Sequence, residues 1–371
     1  MRLDSIGFQD FRNLAHQNIT LSSGINIFHG KNGHGKTNLL DAVYLLAHLN
    51  SFRSSKTSDL INWEKKSCKV EGRVHLGKST YGLKVRMGID GRRLFLDDIL
   101  VKKPSDFFIG FRVIVFSPDG MDIIRGNPAN RRKFIDRAAF RRSPRHLFHV
   151  KEYQKILKNR NISLKEGRGD LVNLYGRQIA GYGAEIVDKR IRAVAEINEI
   201  LSEIYRSVVG VKQSIELSYS SKWAVEEKEE INLVNKGVLE GRLFRYLEKT
   251  ASIDRARGFT GTGPHTDDIS FMIDSVSASR FASQGQLRSI LIALNMAEYH
   301  VLNKKFGDPP VVLLDDFSSE LDEFRRRKLL EYINELEGQA LITTTETGFL
   351  GDGMKRKEFE VKDGFVHDPG D

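Results

Sequence analysis

Eight consecutive residues, Gly30-Lys31-Asn32-Gly33-His34-Gly35-Lys36-Thr37, match the pattern G-x-x-x-x-G-K-[ST] of a phosphate-binding loop. The loop follows the apolar segment Ile25-Asn26-Ile27-Phe28 and precedes a stretch of helical character from Thr37 to Leu49. Glycines let successive backbone N–H groups converge on one centre, and the dipole of the following helix favours anionic phosphates there. We therefore expect bound ATP, with Lys36 on the outer phosphates and the Thr37 hydroxyl on Mg²⁺.

A second signal is an apolar run, Val311-Val312-Leu313-Leu314, that ends in Asp315-Asp316. The run predicts a buried strand, after which Asp315 would hold Mg²⁺ through water and Asp316 would orient or deprotonate the attacking water. Alone this signal is weak, because strands often end at acidic residues. The segment that follows, Ser318-Ser319-Glu320-Leu321-Asp322, strengthens this signal because the segment resembles the D-loop of ABC ATPases. Lys36 and Asp316 are thus the candidate catalytic residues.

Upstream, Ser283-Gln284-Gly285-Gln286 opens an apolar-faced helix. Ser283 and Gln286 have the spacing of a capping box, which is a purely structural explanation. A functional explanation is compatible with the cap. ABC ATPases present such a serine-led helix to the γ-phosphate bound by the opposite subunit. That geometry requires a homodimer. The order of loop, insertion, signature and carboxylate strand is more specific than any one motif.

The pattern along the chain predicts an α/β fold. Alternating apolar residues from Val70 to Ile89, with a turn at Asp90-Gly91, indicate an antiparallel sheet, and Val113–Phe116 is a buried strand. Helical spacing dominates from about 120 to 255. We predict an ABC-type ATPase head, a mixed sheet with the phosphate-binding loop plus an antiparallel sheet, formed by residues 1–118 and 256–371, with a short inserted helical arm at 119–255.

The chain is basic, with 58 Lys and Arg against 49 Asp and Glu. The segment from Arg125 to Arg160 contains twelve basic and two acidic residues. Its excess of positive charge is larger than the net +9 of the whole chain. A charge run is commonly a solvated helix face, but its concentration beside an ATPase favours contact with DNA phosphates. The candidate DNA-binding residues are Arg131, Arg132, Lys133, Arg141, Arg142 and Arg145.

The chain resembles the RecF family of DNA replication and repair proteins. The resemblance is carried by the signature, the carboxylate strand and further segments along essentially the whole length: Phe11-Arg12-Asn13, Phe116-Ser117-Pro118, Gly126, Arg131-Arg132-Lys133-Phe134-Ile135-Asp136 and Gly263-Pro264-His265-Thr266-Asp267-Asp268. Thr266 departs from the family, which has an arginine in this element. The predicted arm is short, as in this family, whereas the SMC relatives of the family carry a long coiled coil.

The resemblance implies an ATP-dependent homodimer that binds single-stranded, gapped or junction DNA and works with RecO and RecR to help RecA assemble. It implies slow, weakly DNA-stimulated ATP hydrolysis that acts as a switch. The expected nucleotide contacts are Gly30, Lys31, Asn32, Gly33, His34, Gly35, Lys36, Thr37, Asn38, Arg12 and Asn13, with Ser283, Gly285 and Gln286 from the partner copy.

Three other functions are compatible with parts of the pattern. A transporter's nucleotide-binding subunit would carry Leu-Ser-Gly-Gly-Gln and a glutamate where Asp316 stands. Another SMC-like ATPase would need a long heptad arm or a nuclease domain, and a non-hydrolysing DNA clamp would differ only in its kinetics. No apolar run approaches the roughly 20 residues of a membrane span. The N-terminal residues lack a secretion signal and Cys68 is the single cysteine, so we expect a cytoplasmic location.

Overall fold

The structure, a computed structural model, describes residues 1–54, 56–210, 212–224, 234–316, 321–345 and 356–368. Contacts between Cα atoms divide the chain into two compact units. We call them the head unit, which comprises Met1–Gly120, Ser207–Gly210 and Arg288–Asp371, and the arm unit, which comprises Met121–Arg206 and Val211–Leu287. Within the described ranges, no helix combines the length and the apolar character that a bilayer-spanning segment needs.

The head unit contains a mixed sheet of six strands in the order β15-β14-β3-β13-β12-β8. All neighbours pair in parallel except the terminal hairpin of β14 and β15. The bounds are β3 (Ile25–His29), β8 (Val113–Phe116), β12 (Val311–Asp315), β13 (Ala340–Thr344), β14 (Arg356–Lys362) and β15 (Phe365–His367). Every residue of β12 and β13 is buried, as expected for central strands of a parallel sheet covered on both faces.

A second, antiparallel sheet of the head unit has the strand order β2-β1-β4-β5-β6-β7. Its strands are β1 (Arg2–Gln9), β2 (Gln17–Thr20), β4 (Ser67–Leu76), β5 (Ser79–Gly88), β6 (Gly91–Leu96) and β7 (Ile99–Val101). Buried residues alternate with half-buried or exposed ones along β4 and the second half of β5, so one face packs on the core and the other faces solvent. The predicted turn is confirmed one residue earlier, because Gly88 pairs with Gly91 and leaves Ile89 and Asp90 in the loop.

Helix α1 (Lys36–His48) lies in the core of the head unit. Most of its residues are buried, which agrees with its lack of a polar face. One hydrophobic cluster includes Leu39 and Leu46 of α1, Val70 of the antiparallel sheet, and Phe28 and Leu313 of the mixed sheet. This cluster places the N-terminus of α1 at the carboxyl edge of the mixed sheet. The head unit also contains α2 (Pro104–Phe107) and α11 (Glu323–Glu335).

The arm unit is mainly helical, as predicted, but it also contains a small sheet. Its helices are α3 (Asp122–Arg125), α4 (Pro128–Arg142), α5 (Arg145–Lys165), most of α6 (Gly169–Val209), α7 (Lys236–Lys249), α8 (Ala251–Arg257) and α9 (Ala278–Phe281). Helix α10 (Gln284–Phe306) begins in this unit and ends in the head unit. One face of α6 is apolar, with Ile191, Ile197 and Leu201 buried, as the helical spacing of this region indicates.

The predicted return to the head at residue 256 differs from the division that the structure gives, in which the head unit resumes at Arg288. The cause is strand pairing inside the arm unit. Strand β9 (Ile215–Ser220) pairs antiparallel with β10 (Asp268–Ile273), which also pairs with β11 (Val276–Ser277). The strands between residues 256 and 287 therefore belong to the arm unit, which contains a small sheet beside its helices.

Candidate nucleotide-binding site

The phosphate-binding loop adopts a backbone that requires its glycines. Gly30, Gly33 and Gly35 have positive φ angles of 148°, 84° and 109°. A Cβ on Gly30 would lie 2.3 Å from the carbonyl oxygen of Val361 in β14, so the loop also needs the absence of a side chain there. Gly35 occupies the N-cap of α1 and has no side chain that could bond the first N–H groups of the helix. Those N–H groups remain directed toward the loop, where an anion would bind.

Lys36 is buried at the centre of this loop. Its Nζ donates hydrogen bonds to the carbonyl oxygens of Gly30, at 2.6 Å, and Lys31, at 3.0 Å. Burial lowers the pKa of Lys36, and the charges of Asp316 and Asp315 oppose that shift. The two carboxylates therefore help to keep the ammonium charged, which is the form that can bind phosphate oxygens.

The predicted metal ligands Thr37 and Asp315 meet, although 278 residues separate them in the chain. The Thr37 hydroxyl donates to Asp315 Oδ1 at 2.7 Å, and the hydroxyl of Thr343 donates to the same oxygen at 2.9 Å. Burial raises the pKa of Asp315, and these two hydroxyl donors oppose the shift. Strand β13 lies between β3 and β12, so the sheet order brings Thr343 beside the carboxylate.

The Thr37 and Asp315 oxygens suit a hard divalent cation such as Mg²⁺. No group of three or more His, Cys, Asp and Glu side chains that could hold a metal occurs in the part of the chain that the structure describes. Mg²⁺ is commonly held by one or two protein oxygens together with substrate phosphates and waters. The residues at this site fit that mode, in which the nucleotide itself supplies the remaining ligands.

Asp316 directly follows the carboxylate strand and has a positive φ of 39°. Its backbone N–H donates to the carbonyl oxygen of Thr343 at 3.2 Å and to the hydroxyl of Thr343 at 3.1 Å. Thr343 therefore contacts the carboxylate of Asp315 and the backbone of Asp316. The predicted D-loop residues 318–320 lie outside the described residues.

Residues implied by the resemblance brace the loop. The Asn13 amide donates to the carbonyl oxygen of Gly33 at 3.0 Å, and the Asn38 amide donates to Asn13 Oδ1 at 2.7 Å. Arg12 donates instead to Asp41 Oδ2 at 2.6 Å, and Asp41 is fully buried. Lys31 and Asn32 are exposed at the tip of the loop. Asn13 and Asn38 thus adjoin the loop directly, whereas Arg12 is anchored against the side of α1.

The turn of the terminal hairpin also supports the loop, a contact that the sequence did not predict. The backbone N–H of Asp363 donates to His34 Nδ1 at 2.9 Å, and the N–H of Gly364 donates to the His34 carbonyl oxygen at 3.0 Å. A Cβ on Gly364 would lie 2.0 Å from the carbonyl oxygen of Asn13. The contact joins residues 329 positions apart, so no local sequence pattern indicates it.

The predicted signature begins α10 as a capping box. The Ser283 N–H donates to Gln286 Oε1 at 2.9 Å, and the Gln286 N–H donates to Ser283 Oγ at 3.2 Å. Ser283 and Gln284 are exposed, and Gly285 follows in the first turn of the helix. The capping prediction is confirmed, and the contact of this helix with a nucleotide on another copy stays a prediction.

The candidate DNA-binding residues do not form one exposed set. Arg131 makes a bidentate ion pair with Asp268, with both N–O distances at 2.7 Å. Arg142 pairs with Glu196 at 2.7 Å, and the side chain of Arg141 is buried. These three arginines contribute to the structure of the arm unit, since each is held inside it.

The other three candidates differ in exposure. Arg132 donates to the Asp267 carbonyl oxygen at 2.9 Å and is half-buried, whereas Lys133 and Arg145 are exposed. Sequence alone did not separate these two groups, because it does not show which acidic group or carbonyl lies opposite each arginine. Further exposed basic residues of the arm unit lie on α5, namely Lys151, Lys155 and Lys158.

The two central motifs of the resemblance meet in the arm unit. Asp136 accepts two hydrogen bonds from Arg190, at 2.8 and 2.9 Å, and Arg190 also donates to the carbonyl oxygen of Pro264 at 2.7 Å. Thr266 is exposed, and its hydroxyl donates to the Gly263 carbonyl oxygen at 2.9 Å. The departure at Thr266 therefore leaves the buried contacts of this element intact and changes only its surface.

Comparison with known proteins gives matches along nearly the whole chain. A family model described as RecF/RecN/SMC N terminal domain matches residues 2–101. The DNA replication and repair protein RecF of Geotalea uraniireducens is 38% identical over 346 residues, which are 93% of each chain.

Solved structures give the same picture at the level of the fold. The recombination mediator protein RecF–ATP in the RecFOR pathway has a TM-score of 0.88 at 29% identity, over 99% of this chain and 97% of that one. An SMC head bound to the C-winged helix domain of ScpA has a TM-score of 0.57 at 16% identity, over 99% and 96% of the two chains, and is a likeness of fold alone. The predicted ABC-type α/β head is thereby confirmed.

Proposed function

The chain belongs to the RecF family of DNA replication and repair proteins, and on that premise we propose that it is an ATP-dependent DNA-binding protein whose nucleotide site closes between two copies. One observation carries the proposal. Thr37 and Thr343 converge on the buried Asp315 next to a loop with Lys36 at its centre. Hydroxyl, carboxylate and ammonium are the groups that a magnesium-bound triphosphate requires.

In the proposed site each residue has a distinct task. Backbone N–H groups of the loop and the Lys36 ammonium bind phosphate oxygens. Thr37 and Asp315 hold Mg²⁺, which neutralises charge on the phosphates when it is bound. Asp316, held by the N–H bonds to Thr343, orients the attacking water. We propose that hydrolysis is slow and resets a switch, as the resemblance to the family implies.

The switch is ATP-driven dimerisation. Ser283 is exposed and caps α10, so its hydroxyl and the N-terminal N–H groups of α10 are presented at the surface of the arm unit. Such a helix terminus favours an anion, and in the dimer that anion is the γ-phosphate bound by the other copy. The family's solved RecF–ATP structure supports the nucleotide assignment.

Dimerisation is tested with Ser283→Arg. We expect this variant to bind ATP as a monomer with wild-type affinity but to form no dimer with a slowly hydrolysed ATP analogue, as measured by light scattering. Gln284→Arg, an exposed neighbour, is the control for added charge. A Ser283→Arg protein that dimerises like the wild type would refute the split site.

DNA binding is assigned to the exposed basic residues of the arm unit. Lys151, Lys155 and Lys158 recur at helical spacing on α5, with Phe148 half-exposed at the start of the row. We call this row the lysine stripe. Contacts of three lysines with duplex phosphates contribute about 2.7 to the slope of log affinity against log salt. Lys133 and Arg145 extend the positive surface, whereas Arg131, Arg141 and Arg142 serve the fold.

The stripe is tested by reversing all three lysines to glutamate. Affinity for gapped duplex is expected to become weaker and less dependent on salt, while ATP binding stays unchanged. Lys78→Glu/Lys102→Glu/Lys103→Glu, on exposed positions of the head unit, is the charge-matched control. Equal losses in both triple variants would mean that net charge, not the stripe, governs binding.

The relatives named for the RecFOR pathway lead to a proposal about partners. We propose that the ATP-loaded dimer on gapped or junction DNA engages RecR and RecO and so assists RecA assembly. Single-turnover ATP kinetics with and without gapped DNA separates a weakly stimulated ATPase from a clamp that only binds ATP. A hydrolysis rate of zero under both conditions would leave the clamp as the function.

A further inference from the structure

The solvent face of the antiparallel sheet carries basic side chains that the proposed function does not use. Lys69 on β4 pairs with Arg86 on β5, and Arg86 pairs with Arg93 on β6. Side chains directly opposite on neighbouring strands are about 5 Å apart at Cβ, and like charges there destabilise the sheet. Glu71 lies 2.8 Å from Lys69, but Arg86 and Arg93 form no ion pair with any residue that the structure describes.

The adjacent row on the same face is made of small residues. Ser67, Gly88 and Gly91 pair across the same three strands, two positions along from the basic row. Because these residues project little bulk, the surface is concave there and forms a cleft of about 580 Å³. Its charged lining is Lys66, Lys69, Arg86 and Arg93 against Asp10 and Asp90, so the cleft is net positive.

Two large apolar side chains are exposed to solvent, Ile89 in the lining of this cleft and Trp63 in a nearby loop. Ile89, a lining residue at the tip of the hairpin, is 82% exposed, and Trp63 is 98% exposed. Trp63 lies in the loop between Asn62, whose N–H donates to the Asp10 carbonyl oxygen, and Lys66. Both ends of that loop therefore adjoin the cleft. With 98% of its surface exposed, the Trp63 side chain is free to contact a ligand that binds in the cleft.

We propose that this cleft of the head unit is a binding site for unpaired nucleotides of single-stranded DNA. Arg86 and Arg93 bind successive phosphates, and Trp63 stacks on a base that the duplex no longer covers. The proposal rests on the proposed DNA-binding function and adds a second, separate contact to it. The lysine stripe takes the backbone of the duplex, and the sheet cleft takes the unpaired strand.

The combination of groups favours a single strand over other anions. A free phosphate or an acidic peptide would contact only the basic side chains of the cleft. Neither ligand would use the exposed indole of Trp63. Basic groups along a groove together with an aromatic platform are the arrangement that binds single strands without sequence preference. The Arg86 guanidinium also lies over the Phe95 ring, 5.4 Å from its centroid, and this contact restricts the side chain on the sheet face.

The charged part is tested with Arg86→Ala/Arg93→Ala in the full chain, by anisotropy of a labelled 20-nucleotide oligo-dT. Loss of two single-strand phosphate contacts lowers the salt slope by about 1.4 and the affinity about 25-fold at 0.1 M salt. Arg73→Ala/Lys78→Ala removes the same charge from exposed positions of the same sheet outside the cleft and is the control. Equal affinities of the two double variants would overturn the site.

The aromatic part has its own readout. The chain has two tryptophans, and Trp223 is only 3% exposed, so quenching of fluorescence by oligo-dT reports on Trp63. Quenching is expected in the wild type and absent in Trp63→Phe. Trp63→Ala is expected to weaken oligo-dT binding about fivefold or more. Saturating oligo-dT without any quenching in the wild type would exclude the stacking contact.

A blunt 20-base-pair duplex separates this inference from the proposed function. If the wild type binds neither DNA, the proposed function itself fails. If it binds both and the Arg86→Ala/Arg93→Ala variant loses only oligo-dT binding, the cleft is the single-strand site. Unchanged oligo-dT binding by that variant, with loss of an acidic protein partner, would reassign the cleft to that partner and refute the proposal.

Discussion

Gly364→Ala is expected to weaken ATP binding although Gly364 is not a predicted nucleotide contact. The residue lies in the turn between β14 and β15 at φ +82°, a backbone conformation that is strained for any residue with a Cβ. The added Cβ would lie 2.0 Å from the carbonyl oxygen of Asn13, and that contact cannot be relieved by a side-chain rotation because both atoms belong to the backbone. The turn must therefore move away from Asn13 and His34.

The magnitude follows from the bonds that this movement breaks. Gly364 and Asp363 each donate one backbone hydrogen bond to His34, at 3.0 and 2.9 Å. Each such bond contributes about 0.5–1.5 kcal/mol, and the left-handed conformation costs alanine about 1 kcal/mol more than glycine. The hydrogen bonds act on the conformation of the phosphate-binding loop. A loss of about 1–3 kcal/mol in loop organisation corresponds to a decrease in ATP affinity of about 5- to 150-fold.

Isothermal titration with ATP measures the affinity, and urea denaturation measures the free energy of unfolding. Gly77→Ala is the matched control, because Gly77 also has a left-handed backbone, at φ +57°, but a Cβ there meets no atom within 4 Å. We expect Gly77→Ala to lose about 1 kcal/mol of stability and no ATP affinity. If Gly364→Ala behaves like Gly77→Ala in both measurements, the hairpin does not support the loop.

Lys36→Ala is expected to lower ATP affinity about thirtyfold or more, measured by titration, whereas Lys102→Ala, at an exposed position outside the loop, should change it little. Arg160→Met should cost about 3–5 kcal/mol of unfolding free energy, because it leaves Asp254 charged and buried; the pair lies at 2.8 Å with both side chains 2% exposed. Burial raises the pKa of Asp267 to about 6. The folded state then binds the proton more tightly than the unfolded state, so this group's contribution to stability falls as pH rises from about 4 to 6. Urea midpoints at pH 5 and 7.5 should show that dependence in the wild type and lose it in Asp267→Asn; an identical pH response in both would contradict it.

Much of the nucleotide site was readable from short segments. The glycine pattern predicted the loop between β3 and α1, the apolar run predicted β12, and the spacing of Ser283 and Gln286 predicted the cap of α10. Each of these depends on residues within one turn or strand of each other. Local backbone preferences and hydrogen bonds within a segment are properties that neighbouring residues determine.

Other features were decided only where distant segments meet. Thr343 and the Asp363-Gly364 turn join the site because the strand order places β13 beside β12 and β14 beside β3. Contacts between distant segments also decide which basic side chains are paired and which are exposed. Arg131 and Lys133 are neighbours in one basic run, yet one pairs with Asp268 and the other faces solvent.

Sequence by itself determined which chemical groups this protein carries and which local elements hold them. Tertiary structure decided which groups are left for a ligand, because burial and pairing depend on elements that the chain brings together from far apart. Arg131 shows the physical reason: Asp268, 137 positions away along the chain, pairs with it, whereas Lys133, two positions from Arg131, stays exposed.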